Sequence, residues 1–193
     1  EAIGLGTQGA AVAVFSGAVV STVESGQTIS GLTFAVSGLV DGANEVIVVD
    51  GRTITLGGNS SGTTVTNGLA YSVTVSAGTA TIVLSGGTLG ASAAQALVDG
   101  ITYQNTDTDN PSAGNRVVTL TQISDSGGTA NGGTNTTALA IGSTVAVSAV
   151  NDAPTLTTMT APVATVDEDT QATVSLASLL AQGNEADVDG TVT

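Results

Sequence analysis

The sequence predicts an all-β protein, a sandwich or a barrel, and three observations carry that expectation. Apolar and small polar residues alternate with a period of two through most of residues 10 to 150, the spacing of a strand with one wet face. Turn-forming Gly, Asn and Asp interrupt the alternation at short intervals, as in a domain of many short strands. Thr and Ser fill the faces opposite the apolar residues, and β-branched and small polar side chains suit an exposed sheet surface.

The strands follow in order. Leu32, Phe34 and Val36 point one way across Thr33 and Ala35, and Tyr71, Val73 and Val75 do so across Ser72 and Thr74. Ala80, Ile82 and Leu84 come next, then Val118 and Leu120, then Leu139, Ile141, Val145 and Val147. Between them lie Asp41-Gly42, Asp50-Gly51, Gly57-Gly58-Asn59, Asn67-Gly68, Gly86-Gly87 and Asn131-Gly132. Asn and Gly tolerate the positive φ of tight hairpins. One segment breaks the pattern: Ala91-Ser92-Ala93-Ala94-Gln95-Ala96-Leu97-Val98 is rich in helix formers and runs into Asp99-Gly100. It predicts a short helix stopped by Gly100, followed by a strand at Ile101-Thr102-Tyr103.

Composition removes whole classes of function. The 193 residues include no Cys, His, Trp or Lys, and the only bases are Arg52 and Arg116. Sixteen carboxylates leave a net charge of −14. Nucleic acids and anionic membranes both demand a basic surface, so neither is an expected partner. A chain without Cys forms no disulfides. No run of 18 apolar residues predicts a membrane span. No leader is visible, and the chain opens at Glu1 as a piece of something longer would.

Nucleophilic catalysis finds no Cys and no imidazole to activate the many serines. The Gly-rich stretches lack the Lys of a phosphate loop. A pair of carboxylates suits glycoside hydrolysis, but aromatic side chains to line a sugar subsite are scarce: Phe15, Phe34, Tyr71 and Tyr103. No enzymatic activity is expected.

Charge density divides the chain near Val150. Residues 1 to 150 hold nine carboxylates and both arginines, whereas residues 151 to 193 hold seven carboxylates and no base. We expect a complete β-sandwich repeat over 1–150. Residues 151–193 read as a linker and the N-terminal part of the next repeat, which is truncated at Thr193. A faint repeat supports this: Ala11-Val12-Ala13-Val14-Phe15 and, later, Ala172-Thr173-Val174-Ser175-Leu176 read as equivalent strands.

With imidazole and thiolate absent, the carboxylates read as oxygen ligands for calcium, which takes six to eight oxygens from Asp, Glu, Asn and carbonyl groups. The candidates are Asp107 and Asp109, Asn151 and Asp152, Glu168 between Asp167 and Asp169, and Asp187 and Asp189. Asp107 and Asp109 precede Pro111 and read equally as Asx-turn residues. All of these acids read, alternatively, as a solvated surface that aids solubility. Asp41 and Asp50 read as turn residues, Asp99 as a helix-end residue, and Glu45 has no assigned role. Arg116 is expected to pair with a nearby acid.

Two stretches resemble a known family. Tyr103-Gln-Asn-Thr-Asp-Thr-Asp-Asn-Pro-Ser-Ala-Gly-Asn-Arg-Val-Val-Thr-Leu-Thr leads to Asp125-Ser-Gly-Gly-Thr-Ala-Asn-Gly-Gly, and Ala149-Val-Asn-Asp-Ala-Pro-Thr-Leu follows. They resemble the tandem repeats of giant bacterial surface adhesins, often exported by type I secretion. That resemblance implies immunoglobulin-like or cadherin-like β-sandwiches with calcium between successive domains. Asn151-Asp152-Ala153-Pro154 resembles the second half of a cadherin linker, Asp187-Val188-Asp189 its Asp-x-Asp pair, and Glu168 the acid on a first strand. The leading Asp of such a linker is replaced by Ser148-Ala149-Val150, and the Asp-x-Glu motif is absent, with Asp107 or Asp109 as substitutes. The implied role is a structural spacer in an extracellular adhesin or biofilm matrix, with neighbouring repeats of the same chain as partners. Calcium would neutralise mutually repelling acids and stiffen each junction into a rod. Two other readings stay open: identical chains assembled by strand pairing into a filament or surface layer, and a carbohydrate-binding module.

Overall fold

The computed structural model describes residues 9–22, 24–149, 151–156, 165–180 and 185–187. The chain divides into two compact units, Glu1–Ala149 and Val150–Thr193.

The first unit runs β1 (Val12–Ala13), β2 (Ile29–Ser37), β3 (Glu45–Val49), β4 (Arg52–Thr55), β5 (Ser60–Thr63), β6 (Ala70–Ser76) and β7 (Thr79–Ser85). It continues with α1 (Ala91–Asp99), β8 (Thr102–Asn105), β9 (Gly114–Asp125) and β10 (Thr136–Val147). The strands form two antiparallel sheets, one ordered β1-β8-β3-β4 and the other β10-β9-β2-β7-β6-β5. Both feed one core: Ile47, Val49, Ile54 and Tyr103 from the smaller sheet, and Phe34, Val36, Val73, Ile82 and Val118 from the larger. The fold is all-β and sandwich-like. Aliphatic side chains from two inner faces must fill the interlayer space, and Phe34, Val36, Ile47, Val49, Ile82 and Val118 are fully enclosed.

Alternation places most of the core as the sequence predicts. Leu32, Phe34 and Val36 are buried on β2, and Ala80, Ile82 and Leu84 on β7. Ile141 departs from it. It pairs directly with the buried Leu120, so it lies on the core side of β10, yet it is 53% exposed. β10 is the edge of the wider sheet, and burial there requires cover that an inward orientation alone does not supply. The register of β10 on β9 also slips between Ala138 and Ile141.

The turns show the same mixture. Asp50 and Gly51 join β3 to β4 with φ of 50° and 75°, the two positive values of a type I′ hairpin. Ala77 and Gly78 join β6 to β7 in the same manner, with φ of 47° and 71°. Alanine is disfavoured in that conformation, which is why this turn carries no sequence signal. The helix forms as expected and buries Ala94, Leu97 and Val98. Gly100 ends it in right-handed backbone at φ −83°, its N–H bonding to the Ala96 and Val98 carbonyls, rather than as a left-handed cap. The strand after it is Thr102–Asn105.

Among the described residues of this unit, strand direction alternates from β1 through β10, and ten is even. The antiparallel ladders set the directions within each sheet. The contact between Glu45 at the start of β3 and Arg116 near the start of β9 links the two sheets. The chain therefore comes in and leaves at one end. Gly9 accepts a hydrogen bond from Gln104 Nε2 there, and Val147, the last residue of β10, pairs with Gly114.

In the second unit β11 (Thr155–Leu156) pairs antiparallel with β12 (Glu185–Ala186), and α2 spans Leu176–Leu180. The strand expected at 172–176 is absent: residues 172–175 have no regular structure and Leu176 begins the helix. Ser175 lies just before that helix, where its Oγ accepts from Ser178 N at 3.2 Å. Such a cap, followed by Leu and Ala, favours helix over strand locally.

Candidate functional site

At the first unit's chain-end face Arg116, Asp41 and Tyr103 form a network around Glu45. β3 is otherwise aliphatic, Val46-Ile47-Val48-Val49, and it carries Glu45 into the interior with no exposed surface. β9 brings Arg116, 1% exposed, from 71 residues away: its Nε donates to Glu45 Oε1 at 2.5 Å. Tyr103 on β8 donates its hydroxyl to the same oxygen at 2.8 Å. The backbone N–H groups of Val40 and Asp41 donate to Oε2 at 2.8 and 2.9 Å. Four donors thus surround a buried carboxylate, the condition under which a charge persists away from water.

Arg116 has a second acid. Its Nη2 donates to Asp41 Oδ2 at 3.0 Å and to the Ser112 carbonyl at 3.0 Å. Asn105 Nδ2 and Ser112 N also donate to Asp41 Oδ2, at 2.6 and 3.0 Å. Burial works against the Asp41 carboxylate, but Ser112, Asn105 and the Arg116 guanidinium outweigh it and hold its pKa below the ordinary value. Burial likewise disfavours the Arg116 cation, and the hydrogen bond and charge of Glu45 reverse that and raise its pKa. Burial, then the bond to Glu45 and its negative charge, push the Tyr103 phenol well above its usual range. The network ties the β2–β3 loop, β3, β8 and β9 together. Its carboxylates are satisfied by protein donors.

A second buried acid clamps a loop. Asp50 Oδ2 accepts from Thr64 Oγ1 at 2.5 Å and from Asn67 N at 3.0 Å, while Oδ1 accepts from Asn67 Nδ2 at 2.5 Å. Its carbonyl also accepts from Val65 N and Thr66 N, both at 3.1 Å. The hairpin residue of the sequence reading is thus also the anchor of the β5–β6 connection.

The predicted calcium ligands are mostly superficial. Asp107 and Asp109 share the loop between β8 and β9, at the end where the chain leaves the first unit. Asp107 Oδ1 accepts from Asp109 N and Asn110 N at 3.2 and 3.1 Å, and Oδ2 accepts from Asn44 Nδ2 at 3.3 Å. This is Asx-turn geometry. In the second unit Asn151 is exposed and Asp152 half-buried, with Asn151 Nδ2 donating to the Asp152 carbonyl at 2.6 Å. Glu168 is exposed in the turn closed by the Thr170 N–H on the Asp167 carbonyl. Asp187, half-buried, directly follows β12. Because Thr155 pairs with Ala186, Asp187 falls one step on, across from the Asn151–Pro154 segment. Asp189 lies outside the described residues. Among the described residues no three carboxylates converge in a metal-binding group.

From sequence alone Glu45 has no role and Asp41 is a turn residue. The signal was faint but present: a lone acid opening an aliphatic strand, in a chain with two arginines. No family model, no curated protein and no solved structure matches this chain.

Proposed function

We propose that this chain is a spacer repeat of an extracellular bacterial adhesin or biofilm-matrix protein, with calcium bound by the acids of its junction segment. In this reading Asn151, Asp152, Asp187 and Asp189 hold the ion of this junction, Glu168 serves the next junction, and Asp107 and Asp109 are further candidate ligands on the first unit. The observation that carries it is the β11–β12 register, which brings Asp187 alongside the Asn151–Pro154 segment although 35 residues separate Asp152 from Asp187 in the chain. A second carboxylate brought toward Asp152 is unfavourable without a cation and favourable with one. The −14 net charge and the family resemblance support the same reading. An immunoglobulin-like or cadherin-like tandem array belongs to this proposal.

Calorimetric titration of the chain with calcium tests the reading. We expect saturable binding with Kd of about 10⁻⁴ to 10⁻³ M, the range of extracellular calcium modules. The double variant Asp152→Ala/Asp187→Ala should lose it. Absence of saturable heat at calcium concentrations about tenfold higher would leave the acids as a solvated surface.

A further inference from the structure

The longest sheet edge of the first unit is β10, twelve residues long. The other edge strands are short: β5 and β4 have four residues each and β1 has two. β10 bonds to β9 on one side, and among the described residues no strand pairs with its other side. Half of its N–H and C=O groups therefore face outward, as on any edge strand. Natural edges of this length are usually blunted by Lys, Pro or an inward charge. Thr136–Val147 contains no charged residue and no proline. Its one protective device is the register slip between Ala138 and Ile141. From Ile141 to Val147 the strand is regular, pairing one for one with Leu120 back to Gly114.

Two further facts select the occupant. Ile141 is on the core side of the sheet, in register with buried Leu120, and remains 53% exposed. A strand added beyond β10 would place its own side chains on that face and cover it. The protein carries −14 charge overall, so a second copy is repelled by most surfaces but meets none of that charge on this strand.

We infer that β10 pairs with β10 of a second copy of this chain. The strands run antiparallel about a two-fold axis through Thr144. This register sets Ile141 across from Val147 of the second copy, both on the core side, and joins two six-stranded sheets into one of twelve strands. The contact is isologous and closes on itself, giving a dimer rather than a fibre. Seven residues span only about 23 Å, so the buried area is small and the dimer weak. Screening of the like charges by salt should tighten it.

Sedimentation equilibrium of the 193-residue chain, at rising protein concentration and at low and high salt, tests this. The expected result is a monomer–dimer equilibrium that strengthens with salt. Ile141→Lys should weaken it at least tenfold, and circular dichroism should confirm that this variant remains folded. The chain has no cysteine, so single replacements report position cleanly. Thr144→Cys should cross-link to its own copy on oxidation, and Thr137→Cys should not. A chain that stays monomeric at every concentration and salt overturns the proposal. So does a dimer that survives Ile141→Lys, or one in which Thr137→Cys cross-links as readily as Thr144→Cys, because another surface or register would then be responsible.

Discussion

Carboxylates inside the first unit and carboxylates on the two units' surfaces do different work, although nothing in the residue type separates them. Glu45, Asp41 and Asp50 are held by named donors from strands and loops far apart in sequence. Asp109 and Glu168 stand in water, where a cation could reach them. Inside, the acid is part of the scaffold, and removing a partner strands a charge. Outside, the acid costs the fold almost nothing and is available for binding. Mutations on the two sides should therefore differ in size and in kind.

The largest expected effect is at Arg116. Arg116→Ala leaves Glu45 buried without its cation, and breaking such a pair costs about 3–5 kcal/mol. Urea unfolding followed by circular dichroism should show the loss. A change under about 1 kcal/mol would mean that the Tyr103 hydroxyl and the two backbone donors suffice to hold Glu45. Asp50→Ala comes next. It frees the buried Thr64 hydroxyl together with the side-chain amide and N–H of the exposed Asn67, and the one unsatisfied buried group costs about 1–3 kcal/mol. Asp50→Asn retains an acceptor oxygen and should lose less; equal losses would deny the clamp its role.

The pH dependence separates the two ends of the scale. Asp41 is depressed in the folded state, so its contribution is complete above the ordinary value of 3.8 and is lost as pH falls through the lower folded value. Tyr103 is raised, so its contribution is complete below its ordinary value of 10.0 and is lost as pH climbs toward the folded value. In a Tyr71→Phe variant, phenolate absorbance should appear only beyond the ordinary tyrosine range or together with unfolding. A normal titration would place Tyr103 outside the network.

Smaller effects remain. Ala77→Asn should stabilise the β6–β7 hairpin by on the order of 0.5–1 kcal/mol, because Asn accepts the left-handed backbone that Ala77 occupies. No gain in thermal midpoint would mean that the turn relaxes without cost. The surface changes Asp109→Ala and Glu168→Ala should shift stability by no more than about 0.5 kcal/mol in chelator. Calcium should widen that gap, and identical behaviour with and without it would remove the functional half of the comparison.

Much of the fold was legible because it depends on local periodicity. Leu32-Phe34-Val36 and Ala80-Ile82-Leu84 face the core because side chains alternate on a strand and Thr and Ser take the other side. Asp50-Gly51 turns because both residues accept positive φ. The Ala-rich segment before Gly100 becomes a helix because its residues lose little entropy there. Ala77-Gly78 and the helix at Leu176–Leu180 escaped the same reading. One is a turn with an unfavourable residue, and the other follows Thr173 and Val174, whose β-branched side chains favour a strand.

By itself the sequence determined the class of the first unit, the positions of most strands and the absence of imidazole and thiol chemistry, since these follow from residue type and short-range spacing. Tertiary structure alone decided that Glu45 would meet Arg116, that Ile141 would face the core side without cover, and that β10 would end at the same end of the unit at which β1 starts. Each of these depends on which strands become neighbours, and pairing between distant segments is set by the packing of the whole core, which no local pattern encodes.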